Sequence, residues 1–199
     1  MEKMIITIGR QYGSGGREIG EKLAELLGYS YYDTLLIEKT AQESGLSKSI
    51  VERYDERLAD KWMNLSLAST TGDVKQLPVP LKSVLSQFEA IYRIGQAGAA
   101  VIVGRCALCA ARPKNVLSVF IHSDMKHRIA RVAARNSISE NEAKKRIRNT
   151  DKQRASYYNY YTDQQWGEAD SYNLCLDSGL FGIDGAVALL QSCVQLFSK

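Results

Sequence analysis

The chain has 199 residues, 45% hydrophobic and 24% charged, with a net charge of +4. That composition excludes a disordered or collagen-like chain and fits one globular domain, residues 1–199, with a sizeable core. The mild positive balance suits a polyphosphate ligand as well as nucleic acid and selects neither.

Ile5 to Gly9 reads as a strand, apolar and β-branched, as a parallel strand buried on both faces would be. Gln11-Tyr12-Gly13-Ser14-Gly15-Gly16-Arg17 is a Gly-rich loop. The helix after it presents Ile19, Leu23, Leu26 and Leu27 at helical spacing and ends at Gly28. Tyr29 to Tyr32 is a second strand, with Asp33 just past its end. Ser49-Ile50-Val51-Glu52 is a capping box, and its helix is expected to run to around Trp62. Ser69 to Pro80 is polar and reads as a loop or flap before a helix over Leu81 to Ala97. Ala99 to Gly104 and Val116 to His122 are further strands, joined by a connector from Arg105 to Asn115. Asp124 to Asn136 is a helix. Ser139-Glu140-Asn141-Glu142 is a second capping box and starts another, running past Ile147. Tyr172 to Leu176 is the fifth strand, followed by Asp177, and Ile183 to Phe197 is the closing helix. Strands separated by helices imply a parallel sheet with right-handed crossovers. Ligands bind such sheets at the carboxyl ends of the strands. The Gly-rich loop, Asp33, Gly104-Arg105 and Asp177-Ser178-Gly179 all fall on that edge.

A strand, a Gly-rich loop and a helix in that order make a phosphate cradle. The expected anion site is the main chain of Gly13, Ser14, Gly15, Gly16 and Arg17. The bland alternative is a tight turn with no ligand. The loop departs from G-x-x-x-x-G-K-[ST]: Gly16 and Arg17 follow Gly15, so both the lysine and the magnesium-binding hydroxyl are missing. Arg17 is the expected substitute cation, a planar fork in place of a point charge.

Cys106 and Cys109 form a C-x-x-C, but no further ligands at zinc spacing accompany them, and reduced thiols are the favoured reading. No metal site is expected in the protein itself. Tyr157-Tyr158-Asn159-Tyr160-Tyr161 with Trp166 could stack nucleic-acid bases, but packing is favoured because no RNA-binding module accompanies the run. No signal-peptide pattern and no apolar stretch of membrane-spanning length is read, so the expected location is cytoplasmic, with no membrane partner.

Ile6-Thr7-Ile8 with its loop, Gly104-Arg105, and Val119-Phe120-Ile121 before His127-Arg128-Ile129-Ala130-Arg131 resemble motifs of the cytidylate kinase-like proteins. So do Ile147-Arg148 to Asp151, Ala169-Asp170 and Leu176-Asp177-Ser178. The resemblance covers nearly the full length. It implies a three-layer P-loop NTPase fold whose five-stranded parallel sheet runs 2-3-1-4-5. A helical acceptor-binding insert would span 34–97 and an Arg-rich lid about 137–168. It implies ATP-dependent phosphoryl transfer, with Mg2+, to a nucleoside monophosphate or other small acceptor. Nucleic acid is disfavoured as a partner, and a homo-oligomer is compatible. By position in the resemblance, Arg131, Arg148 and Arg154 are the favoured lid arginines; a solvated basic face is the alternative. Asp33 would orient the acceptor or a magnesium-bound water, or else cap the next helix. Arg105 would contact the acceptor phosphate or pair with a lid carboxylate. Asp151 would hold the lid arginines or serve the acceptor, or else lie on a helix surface. Ser178 and Gly179 would abut the adenine. The family Asp after Gly-Arg is Cys106 here, and Gln153-Arg154 replaces an Arg after Asp151. A nucleotide-binding protein without turnover is the competing reading.

Overall fold

Three short runs rich in Ile and Val form the central parallel strands because their side chains are apolar on both faces, which suits a sheet covered by helices on each side. The computed structural model describes residues 4–37, 39, 79–104, 116–162 and 164–197. Within them the chain runs β1 (Ile5–Arg10), α1 (Gly16–Leu27), β2 (Ser30–Tyr32), α2 (Val79–Ala97), β3 (Ala100–Val103) and β4 (Val116–His122). It continues through α3 (Met125–Asn136), α4 (Glu140–Tyr161), a 3-10 turn (Ala169–Ser171), β5 (Leu174–Asp177) and α5 (Ser178–Phe197). The sheet order is β2-β3-β1-β4-β5, as the resemblance implies. Every pairing is parallel, with Ile5 opposite both Ala100 and Val116.

Alternate residues of the strands feed two cores. Ile6, Ile8, Val101, Val119 and Ile121 meet Ile19 and Leu23 of α1 and Ala186, Leu190 and Val194 of α5. On the other face Ile5, Ala100 and Ile102 meet Leu85, Phe88 and Ile91 of α2, with Tyr158 of α4. A small third cluster, Val132, Ala143 and Ile147, joins α3 to α4 beneath Tyr12.

Local signals set the ends of the helices. Gly28 ends α1 in the left-handed region at φ 65°. Asp124 caps α3, its Oδ1 accepting from the His127 N–H at 2.8 Å. Ser139 Oγ accepts from the Glu142 N–H at 3.2 Å, while the Glu142 carboxylate turns to Arg146 instead of closing the box.

Several expected boundaries move. β1 extends to Arg10, and the 3-10 turn delays β5 to Leu174. α2 begins at Val79 and takes Pro80 into its first turn, where a proline costs no hydrogen bond. α5 starts directly at Ser178, with a break at Gly182 (φ 68°) before the span expected from Ile183. Leu26, expected to be buried, is 51% exposed, because α1 shows the sheet its Ile19-Gly20-Leu23-Ala24 stripe. α5 also has the length and apolar composition of a membrane span, correcting the expectation that no stretch does; here it lies against α1, β4 and β5. The capping box at Ser49, the 69–78 part of the flap, Arg105, and Cys106 with Cys109 lie outside the described residues.

Candidate active site

The Gly-rich loop requires its glycines on two counts. Gly13 and Gly15 have φ of 84° and 81°, which L side chains rarely adopt. A Cβ at Gly13 would also lie 2.8 Å from Val132 Cγ2, and one at Gly15 would overlap the Arg131 guanidinium. Ser14 pins the loop: its hydroxyl donates to the Gln11 carbonyl at 2.9 Å, and its own carbonyl accepts from Ser178 Oγ at 2.5 Å. Gln11 Oε1 in turn accepts from the Ser123 N–H at 3.1 Å, tying the loop to the end of β4. No side chain caps α1. The first-turn N–H groups of a helix left in this way face whatever anion approaches.

The expected site residues divide into groups. Arg17 turns from the loop toward β2, where its Nη2 lies 2.8 Å from Asp33 Oδ2. The neighbouring Tyr31 hydroxyl and then the Asp33 carboxylate raise the Arg17 pKa. Asp33 Oδ1 accepts from the N–H groups of Leu35 and Leu36, both at 3.1 Å, so Asp33 is a helix cap as well as an ion-pair partner. Arg131 Nη1 donates to the Gly13 carbonyl at 3.3 Å, across the loop. Arg154 Nη1 donates to the Arg10 carbonyl at 3.0 Å and its guanidinium lies over the Tyr12 ring.

Asp151 joins the loop to both helices. Its Oδ1 accepts from the Tyr12 N–H at 2.7 Å and its Oδ2 meets Arg128 Nη2 at 2.6 Å. Burial raises the Asp151 pKa despite these partners. Burial likewise lowers those of Arg128 and Arg154. Arg148 is exposed on α4, and Arg105 lies outside the described residues. Ser178 is buried at the start of α5, its Oγ also 3.0 Å from the His122 carbonyl. The Gly179 N–H donates to Asp177 Oδ1 at 2.8 Å, and a Cβ there would come 2.6 Å from Ser123 Oγ.

Beside the loop lies a cavity of about 360 Å³. Gly9 and Arg10 at the end of β1 form one side, with Thr7, Thr34 and Gly104; Gln153 and Arg154 of α4 form another. Tyr157, Tyr158, Trp166 and Tyr172 make an aromatic wall. Phe120 holds that wall in place, edge-on to Trp166 at 5.2 Å and tilted against Tyr172 at 4.9 Å. The Trp166 N–H donates to Asn159 Oδ1 at 2.8 Å. Among the described residues the lining carries two guanidinium groups and no carboxylate. The tyrosine run therefore packs, as favoured from sequence, and also lines a cavity, which sequence reasoning missed. Arg10 was missed as well: in the sequence it falls between the strand that ends at Gly9 and the Gly-rich loop. A cationic residue at a strand's carboxyl end, next to a phosphate loop, was the available signal.

A parallel sheet in this order, with a glycine cradle at the carboxyl end of its central strand, defines a three-layer α/β fold of the P-loop kinase type. The chain belongs to the cytidylate kinase-like family, whose sequence profile matches residues 5–180. Membership of that family marks it as a kinase-like phosphotransferase. It is similar to an uncharacterized protein from Eubacterium ventriosum, with 26% identity over 97% of this chain and 99% of that one, and a TM-score of 0.74. The shikimate kinase from Bacteroides thetaiotaomicron shares the fold at 12% identity, covering 96% and 98% of the two chains, with a TM-score of 0.51. So does the shikimate kinase from Acinetobacter baumannii in complex with shikimate, at 17% identity over 98% and 93%, with a TM-score of 0.50. No curated protein matches the chain.

Proposed function

We propose that the chain transfers the γ-phosphoryl group of ATP to the phosphate of a nucleoside monophosphate, cytidylate being the first candidate. The observation that carries this reading is the cavity itself: it is lined by an aromatic wall and two arginines, one of them Arg10, the residue that leads from β1 into the phosphate loop. That combination suits a planar base and an anionic group in one molecule.

In this reading the N–H groups of Gly13 to Arg17 hold the donor phosphates, and Ser178 and Gly179 border the adenine. An acceptor phosphate oxygen attacks the γ-phosphorus, the bond to the β–γ bridging oxygen breaks, and ADP leaves with that electron pair. A phosphate dianion has no proton to lose, so the step needs no general base. Asp33 and Asp151 are engaged by Arg17 and Arg128, which suits a phosphate acceptor better than a hydroxyl one. Arg131 and Arg154 meet the charge on the transferring group, with Arg148 and Arg105 as further candidates.

The described residues contain no group of three potential metal ligands, which fits a Mg2+ held mainly by phosphates and water. In this reading Asp33, whose oxygens already accept from Arg17 and two backbone N–H groups, would reach it only through water. Bound with the nucleotide, Mg2+ supplies neutralisation of phosphate charge.

The missing loop lysine and magnesium-binding hydroxyl support a second reading, nucleotide binding without turnover. An ATP-consumption screen with Mg2+ over nucleoside monophosphates and small alcohols tests both. ADP formed only with a nucleoside monophosphate supports the first reading. Saturable ATP binding with no acceptor phosphorylated overturns it in favour of the second.

A further inference from the structure

Gly16 stands where a phosphate-binding loop usually carries its lysine, and the space its side chain would need is filled. A Cβ at Gly16 would lie 2.6 Å from Arg10 Cβ and 3.1 Å from Arg10 Cγ. The Arg10 side chain runs across that glycine and ends over a second one, Gly104, where a Cβ would overlap the guanidinium. Gly104 has φ 89°, so its backbone also favours glycine. Two glycines from different elements thus leave a path from β1, past the start of α1, to the end of β3, and Arg10 occupies it. The same residue lines the cavity, and its carbonyl accepts from Arg154. Arg17, the cation nearest in sequence to the missing lysine, is turned to Asp33 and Tyr31.

We infer that Arg10 supplies the cation that the loop lacks, set between the donor phosphates and the acceptor cavity. The inference rests on the kinase reading above and deepens it. A guanidinium entering from β1 can contact oxygens of two phosphoryl groups at once, which a lysine cannot do with the same planar geometry. The absent lysine is therefore a relocation of charge, and Gly16 and Gly104 are the steric conditions for it.

The test uses the full chain with MgATP and cytidine monophosphate, with turnover and MgATP affinity measured separately. Arg10→Met keeps the stem over Gly16 and removes the charge. It is expected to lower turnover about 100-fold or more, the scale of a lost preorganised charge contact, with an unchanged melting temperature. Gly16→Lys alone is expected to lose stability, since its Cβ meets the Arg10 stem. Arg10→Gly with Gly16→Lys removes both stem atoms that a Gly16 side chain would meet and restores a cation, so it should recover at least about tenfold over Arg10→Gly. Turnover of Arg10→Met within twofold of wild type overturns the inference, and so does a double variant no better than Arg10→Gly. If wild type turns over no acceptor, the kinase reading falls separately. The inference is then judged on MgATP binding alone: about tenfold weakening in Arg10→Met supports it, and unchanged affinity overturns it.

Discussion

Arg154 touches both halves of the site. Its guanidinium donates to the Arg10 carbonyl, lies 5.5 Å from the centre of the Tyr12 ring and lines the cavity. Burial lowers its pKa, opposed chiefly by Asp151. It stays charged, because arginine starts so high. A desolvated cation of this kind stabilises developing charge far better than one in water. Arg154→Ala is therefore expected to lower kcat by a factor of about 100 to 1,000, roughly 3–4 kcal/mol in the barrier, with a smaller change in MgATP affinity. Steady-state kinetics beside calorimetric ATP titration separates the two, and an equal loss in both would remove Arg154 from the reacting centre. Arg154→Lys should recover little of the loss, because a point charge on a flexible stem cannot both donate to the Arg10 carbonyl and lie over the Tyr12 ring as the planar guanidinium does.

At the scale of elements, α3 and α4 are joined to the loop by the Arg128–Asp151–Tyr12 connection. Arg128 and Asp151 side chains are 4% and 16% exposed, so neither charge is well solvated. Burying two charges costs more than their pairing returns, but removing one leaves the other stranded. Asp151→Leu, which leaves both Arg128 and the Tyr12 N–H without their acceptor, is expected to destabilise the fold by about 3–5 kcal/mol in urea titration, while Arg128→Met with Asp151→Leu should recover part of that. The pH dependence has an unusual sign for a carboxylate. Burial, the largest cause, raises the Asp151 pKa above its ordinary 3.8, against the Tyr12 N–H and Arg128. Its proton-linked contribution is complete below that ordinary value and fades as pH rises through the raised one. The stability of wild type minus that of Asp151→Asn should then shrink as pH climbs from about 4. A difference that grows over the same range would mean that pairing outweighs burial.

For the molecule as a whole, the informative element is α5. Its length and apolar composition suit a membrane span, yet Leu190 is fully buried with Ala186 and Val194 in the core shared with α1 and the sheet. Ser178 at its start bonds the phosphate loop, so the docking of this helix also sets the loop. Leu190→Ala is expected to cost about 2–5 kcal/mol, as core truncations do, and denaturant unfolding without detergent measures it. A negligible cost would mean that α5 does not seal this face of the sheet. Leu196 and Phe197, 69% and 45% exposed, lie outside that contact, and their truncation should be nearly neutral.

The sequence by itself carried most of the strands, the glycine loop, the cap at Ser139 and the Gly28 stop, because each is written in residues within one turn of one another. The sheet order came with the resemblance to a family, not from periodicity, since strand neighbours in a parallel sheet are separated by whole crossovers. Which face of α1 is buried was legible only in part: Leu26 keeps the helical spacing but falls beside the stripe that meets the sheet. The direction of the charged side chains was decided by tertiary structure alone. Arg17 lies beside the phosphate loop in sequence but pairs with Asp33, while Arg10 crosses Gly16 to reach Gly104. Asp151 finds the Tyr12 N–H 139 positions away. Long side chains carry no periodic signal of where they end. Their course is set by which distant glycine leaves room and which distant partner offsets the loss of water, and both exist only once the sheet has closed.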